Sequence, residues 1–293
     1  MTSLVPPVVA LQPLWTPVAD ALNLRALPLH AHEIVIAAGF YHIIFKYLTP
    51  WISAQLLSRR YRQFSRKEAL DWNLQCVSMV QSILISWLAI WVMKNDGVRA
   101  MNSEDQEGRV FGYSGPAGSV QAFATGYFLW DLVVSLQNLS DVGLPVLIHA
   151  FSCFTVYLLG FRPVFNYYSC VFVLFELSTP FLNIHLFLEQ LGMAGTIWQF
   201  INGIMLILVF FFVRLVYGLY FSYHWMQDIW SVSQGQSVKS AADELPESRT
   251  LPLWLLGIFI ASNTILNALN IVWFGMMIKK IQRRARRAAE KRE

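Results

Sequence analysis

The sequence is short of charge. Only 14% of its 293 residues are Asp, Glu, Lys or Arg, against roughly a quarter in ordinary soluble domains, and that shortage excludes a conventional soluble enzyme. The familiar catalytic signatures are missing as well: there is no HExxH, no Walker-type glycine loop, no GxSxG and no paired-cysteine motif. The three cysteines, Cys76, Cys153 and Cys170, all fall in apolar windows, which excludes a disulfide scaffold and makes them buried thiols. No basic stretch precedes the early LVPPVVAL run, and the first 32 residues carry five prolines, Pro6, Pro7, Pro13, Pro17 and Pro28. Neither a signal peptide nor an additional span is expected there, because the prolines would break a helix. An interfacial, poorly ordered arm is the reading for residues 1–32.

What is present is apolar. Hydrophobic residues make up 56% of the chain and aromatics 15%, and the mean hydropathy is +0.46. Several windows of twenty or more residues hold one charge or none, about the length that crosses a hydrocarbon core of roughly 30 Å. The expected fold is an all-α polytopic membrane protein with seven transmembrane helices, at about 33–53, 70–93, 120–139, 142–160, 164–187, 198–222 and 251–277.

Lys and Arg counts in short loops set the orientation. The loop SRRYRQFSRKE carries Arg59, Arg60, Arg62, Arg66 and Lys67, and the tail KKIQRRARRAAEKRE has eight basic residues against two acidic. The connections from Lys94 to Ser119 and from Met226 to Thr250 are mildly acidic. Seven spans put both basic clusters on the cytosolic side, with the N-terminus lumenal and the C-terminus cytosolic. The Asn138-Leu139-Ser140 sequon then lies at the cytosolic membrane edge and should stay unglycosylated. The basic tail reads first as a stop-transfer and anionic-lipid anchor, and second as a contact for an acidic partner such as the ribosome.

Ionisable groups inside spans cost about 2.5 to 3.5 kcal/mol each near the bilayer centre, so each needs a partner or a purpose. Lys46 is near enough to a helix end to snorkel. Asp131 and His149 both come out about 10 to 12 Å below the cytosolic face, on helices joined by the short connection Ser140 to Gly143, so they are expected to face one another. A carboxylate-held His suits a general base and equally suits a satisfied polar pair. Asn263, Asn267 and Asn270 follow an i, i+4, i+7 series along one face of the last helix. Glu176 and Arg214, within reach given side-chain length, are expected to form a buried ion pair, with Asn183 and Asn202 level with one another near the ends of the same two helices. Each such group is either an interhelical polar clamp or the lining of a polar cavity. No metal site is expected.

Six segments carry a family resemblance: DWNLQCVSMVQS, ATGYFLWDLVVSL, VLIHAFSCFTVY, FELSTPFLNIHLFLE, INGIMLILVFFFVRLVYG and NALNIVWFGMMIKK, in that order between Trp72 and Lys280. In this the chain resembles the TLC domain family, which includes ceramide synthases and the translocating-chain-associated membrane protein, and above all its TLC domain-containing protein 4 group. The resemblance implies a ring of membrane helices around a cavity for a lipid acyl chain, in the endoplasmic reticulum. It divides the chain into the arm (1–32), a first span with its basic cytosolic loop (33–69), a six-span TLC domain (70–278) and the tail (279–293). Asp131, Glu176, Asn183 and Arg214 match the family's polar positions. Two departures stand out: ceramide synthases use two adjacent histidines where this chain reads His149-Ala150, and relatives commonly have His where it has Gln81.

One missing histidine disfavours ceramide synthase chemistry, which needs a base and a second group to handle the proton. The resulting expectation is a protein, leaning non-enzymatic, that binds a membrane lipid or acyl chain in its cavity, influences lipid homeostasis and has no cofactor. The alternatives are a lipid acyltransferase-like enzyme with His149 as base, Asp131 orienting it and acyl-CoA as donor, or an accessory of membrane-protein insertion touching the translocon or ribosome through the tail. Nothing suggests DNA binding.

Overall fold

The apolar windows fold as helices, and proline and polar residues decide where those helices bend. In the computed structural model, which describes residues 3–234 and 251–290, every regular element among the described residues is helical. In chain order these are α1 (Gln12–Leu22), α2 (Leu27–Leu56), α3 (Arg66–Asn95), the short α4 (Gly97–Asn102) and α5 (Gln106–Phe111), α6 (Gly115–Gln137), α7 (Leu144–Leu159), α8 (Asn166–Gln190), α9 (Ile197–Ser233) and α10 (Leu253–Glu290). Single turns at Ser58–Tyr61 and Leu139–Val142 link some of them.

Five of these helices, α2, α3, α8, α9 and α10, are long and apolar enough to cross a membrane. The third and fourth expected spans correspond to α6 and α7. The 16 residues of α7 are apolar but short. α6 is 23 residues long but holds polar Ser119, Gln121 and Thr125, all buried inside the bundle. A helix shielded by its neighbours has no need of a uniformly apolar surface. α6 is that central helix: it packs against α2, α3, α7 and the first half of α8, while α8, α9, α10 and α7 follow one another around the bundle.

Close approach of α2 to α6 depends on Gly126. A Cβ there would lie 2.5 Å from the Ile34 carbonyl oxygen and 2.7 Å from Ala37 Cβ, so only glycine lets the two backbones meet at this point. Two bends trace to prolines. Pro50 follows a π-helical stretch at Ile44–Leu48 in α2, and Pro180 follows a 3-10 stretch at Leu174–Ser178 in α8. In each case the proline ring displaces the carbonyl four residues earlier, Lys46 and Glu176. α9 carries a second π-helical stretch at Phe211–Tyr217, and such irregular turns recur at functional sites. Glu176 and Arg214 both stand on irregular backbone.

The N-terminal arm differs from expectation. α1 forms despite Pro13 and Pro17, because Pro13 occupies the first turn, where the backbone N–H has no partner anyway. Asn23 caps it in the left-handed conformation (φ 54°). Tertiary packing holds it: Ala19, Leu24, Leu27 and Ala31 are buried with Ala122 of α6 and Phe161. Just beyond, His30 Nδ1 (residue 1% exposed) hydrogen-bonds with the Glu33 carboxylate (0% exposed) at 2.6 Å. Ser119 donates to Glu33 at 2.8 Å, and the Tyr113 hydroxyl meets His30 Nε2 at 2.5 Å. Burial, with the Glu33 charge nearby, pushes the Tyr113 hydroxyl above its ordinary 10.0.

α9 also runs longer than expected, through Ser233 rather than residue 222. Its last turns are polar and are held by protein. Arg109 of α5 donates twice to Asp228, at 2.6 and 2.7 Å, and the Tyr168 hydroxyl donates to the same carboxylate. That carboxylate keeps the Arg109 guanidinium charged, further above its ordinary range. The acidic connection between α3 and α6 is thereby pinned: Ser114 donates from its hydroxyl to Asp96 and from its N–H to Asn166 Oδ1 (2.9 Å), and Arg99 donates to the Tyr167 carbonyl. At the other end Arg60 donates to the Gln190 carbonyl and Lys280 pairs with Glu189 at 2.9 Å. The basic loop and the start of the basic tail therefore share one face. The rest of the acidic connection after α9 (235–250), the tail's side chains beyond Arg283 and residues 291–293 lie outside the described residues.

Candidate functional site: a cavity inside the helix ring

α6, α7, α8, α9 and α10 line a cavity of about 100 Å³, several times what one water requires. One end is aromatic, with Phe165, Tyr168, Phe172, Trp225 and Phe259; the wall continues through Val156, Tyr157 and Leu266, and His149, Cys153, Glu176, Arg214, Asn267 and Asn270 bring the polar chemistry. Antiparallel packing of α7 and α10 creates this gradient. Phe165, just past α7, stacks edge-on against Phe259 early in α10, whereas His149 early in α7 meets Trp273 late in α10.

Arg214 organises the polar part. Its guanidinium donates to Ser178 Oγ at 2.9 Å, Asn270 Oδ1 at 3.1 Å and Thr179 Oγ1 at 3.2 Å, and stands 3.6 Å from Glu176 Oε1. The Glu176–Arg214 pair is thus present, but as a loose contact, with the arginine's close hydrogen bonds going to neutral acceptors on α8 and α10. Ser178 and Thr179 had no sequence signal beyond their nearness to Pro180, whose bend turns them toward α9.

Asp131 and His149 are not brought together as a hydrogen-bonded pair. His149 lines the cavity, its Nε2 3.7 Å from Cys153 Sγ one turn on, and its Nδ1 is buried with no hydrogen-bond partner. Asp131 is outside the cavity lining. Equal depth on two adjacent helices did not suffice, because the rotation of each helix about its axis also decides which side chains meet. Asn183 and Asn202 likewise miss one another: Asn183 donates to Ser78 Oγ at 3.1 Å and Asn202 to the Phe181 carbonyl at 2.8 Å. Of the asparagine series, Asn263 and Asn267 both donate to Ser222 Oγ of α9, at 3.1 and 3.0 Å, while Asn270 goes to Arg214. Sequence reasoning missed Cys153 as a neighbour of His149, though their i, i+4 spacing signals it. It missed His30 with Glu33 too, two ionisable residues three apart in an apolar helix. No cluster of metal-ligating residues occurs among the described residues.

Helices of spanning length and apolarity, wrapped around a cavity that joins an aromatic end to a charged one, define the class: a polytopic helical membrane protein with an internal site. The TLC domain signature of the TRAM, LAG1 and CLN8 proteins matches residues 71–279, and the chain belongs to the TLC domain family. It is 36% identical over 278 residues to a TLC domain-containing protein of Schizosaccharomyces pombe, covering 94% of this chain and 87% of that one. It is 27% identical over 266 residues to the Topoisomerase I damage affected protein 4 of Saccharomyces cerevisiae, with 88% and 87% covered. Similarity to the human TLC domain-containing protein 4 is 27% over 190 residues, or 62% of this chain and 70% of that protein. The TLC domain match includes the whole cavity lining and leaves out α1 and all of α2.

Proposed function

We propose that this chain is a multi-pass protein of the endoplasmic reticulum membrane that holds a lipid acyl chain in its cavity and thereby influences membrane lipid homeostasis. The observation that carries the reading is the polarity gradient of the cavity: an aromatic and aliphatic stretch suited to hydrocarbon, leading to the Arg214, Asn270 and Glu176 cluster suited to a polar head. α6 and α7 join the five long helices as spans, giving seven. The N-terminus is lumenal and the C-terminus cytosolic, in keeping with Arg60 and Lys280 on one face and Arg109 at the opposite end of the bundle.

Native mass spectrometry of the full chain, extracted gently from membranes, tests the reading. A retained lipid is expected, and Leu266→Trp, which fills the apolar part of the cavity, should expel it. A protein that comes out empty, together with an unchanged lipidome in cells lacking it, overturns the proposal. For the orientation, glycosylation of Asn138 would reverse it.

A further inference from the structure

His149 and Cys153 form a nucleophile and base pair that neither polar clamping nor noncovalent lipid binding requires. The two lie on adjacent turns of α7, both lining the cavity, with Nε2 3.7 Å from Sγ. If Nε2 accepts from the thiol, the ring's own proton is on Nδ1, a buried atom without an acceptor. An unsatisfied buried donor of this kind is unfavourable, and a bound oxygen-bearing group would satisfy it. Trp273 packs against the imidazole at 5.4 Å between centroids and holds it in place.

A third group completes the arrangement. Because α7 and α10 are antiparallel and His149 is level with Trp273, moving one turn on from His149 and one turn back from Trp273 leads to the same level, that of Cys153 and Asn270. Asn270 is 2% exposed. Its Oδ1 is fixed by Arg214 Nη1 at 3.1 Å, which turns its NH₂ the other way. A buried, oriented amide donor level with a thiol is suited to a carbonyl oxygen that gains negative charge.

We infer that Cys153 is an acyl-acceptor site, taking a long-chain acyl group from a coenzyme A thioester onto its sulfur with His149 as base. The inference rests on the reading of the cavity as an acyl-chain site. Sγ attacks the acyl carbonyl carbon as the thiol proton passes to His149 Nε2, and Asn270 donates to the carbonyl oxygen. The carbon–sulfur bond to coenzyme A then breaks, and the departing thiolate takes the proton back from Nε2. One thioester is exchanged for another, with no oxidant or reductant. The acyl chain remains tethered at one end, with the apolar part of the cavity available to its hydrocarbon. The missing second histidine of the family motif does not hinder this step, since the same imidazole both removes and returns the proton.

The test is intact-mass spectrometry of the full-length chain in lipid nanodiscs incubated with palmitoyl-coenzyme A. Alongside it, retention is measured for a thioether analogue that binds but cannot react. The expected result is one added palmitoyl group, released by hydroxylamine, mapped to Cys153 and kept in the Cys76→Ala/Cys170→Ala variant. It should be absent in Cys153→Ala and form about 100-fold more slowly in His149→Ala, while both variants still retain the analogue. Acylation that persists in Cys153→Ala, or a protein that retains the analogue yet never gains the acyl mass, overturns the inference and leaves the acyl-chain reading standing. A chain that retains neither overturns both.

Discussion

Replacing Arg214 by methionine keeps an unbranched side chain and removes the charge at the centre of the polar cluster. Three hydrogen bonds are lost, to Ser178, Asn270 and Thr179. At the membrane average of about 0.6 kcal/mol each they amount to about 2 kcal/mol. The Glu176 carboxylate is also left without the cation 3.6 Å away. Breaking a well-made buried ion pair costs about 3–5 kcal/mol; at this looser distance the added cost falls to about 1–2 kcal/mol, making about 3–4 kcal/mol in all. Glu176→Gln removes the carboxylate that needs the arginine, so the double variant should be less destabilised than the sum of the singles by about 1–2 kcal/mol. Reversible unfolding of the four proteins in lipid nanodiscs, or steric trapping, reads these values. Additivity within about 0.5 kcal/mol would show that Glu176 and Arg214 are energetically independent, and the account of the cluster as one unit would fail.

Gly126→Ala should destabilise the fold by about 1–3 kcal/mol through overpacking, because the new methyl meets the α2 backbone at Ile34; an unchanged melting temperature would mean that α2 does not pack this closely. Tyr113 keeps its proton in the folded state at a pH where the unfolded chain has lost it. Its contribution is therefore complete below about pH 10 and falls as the pH rises further, and Tyr113→Phe should flatten the alkaline limb of a stability–pH curve; parallel limbs would refute the assignment. Asp228→Ala should cost about 1–3 kcal/mol, since Arg109 and Tyr168 both lose a charged acceptor, and should speed limited proteolysis in the α4–α5 connection. Equal proteolysis rates would show that this connection is held by something else.

Much of the site was legible in part. The rule that an ionisable residue inside an apolar window needs a partner picked out His149, Glu176 and Arg214, and all three line the cavity. Their partners were harder. Depth along a helix follows from residue counting, but the azimuth of a side chain depends on how each helix is rotated and bent. The 3-10 turn before Pro180 and the π-helical stretch around Arg214 alter that rotation locally. Hence Arg214 reaches Ser178, Thr179 and Asn270, His149 faces Cys153, and Asn183 and Asn202 find separate partners. The N-terminal arm departs from expectation for a related reason: its prolines act locally as helix breakers, while the buried surface of Ala19, Leu24 and Leu27 that holds α1 comes from distant α6 and Phe161.

Composition and periodicity alone determined that this protein is helical and built for a membrane, because shortage of charge and long apolar windows act through the solvent and need no knowledge of neighbours. The order of its polar motifs was enough to signal the TLC domain family. Which polar groups touch across helices, and that the Asn270 amide comes to the level of the Cys153 thiol, was decided only when the helices packed. Those contacts depend on the approach of α2 to α6 allowed by Gly126 and on the antiparallel alignment of α7 with α10, both of them relations between segments far apart in the chain.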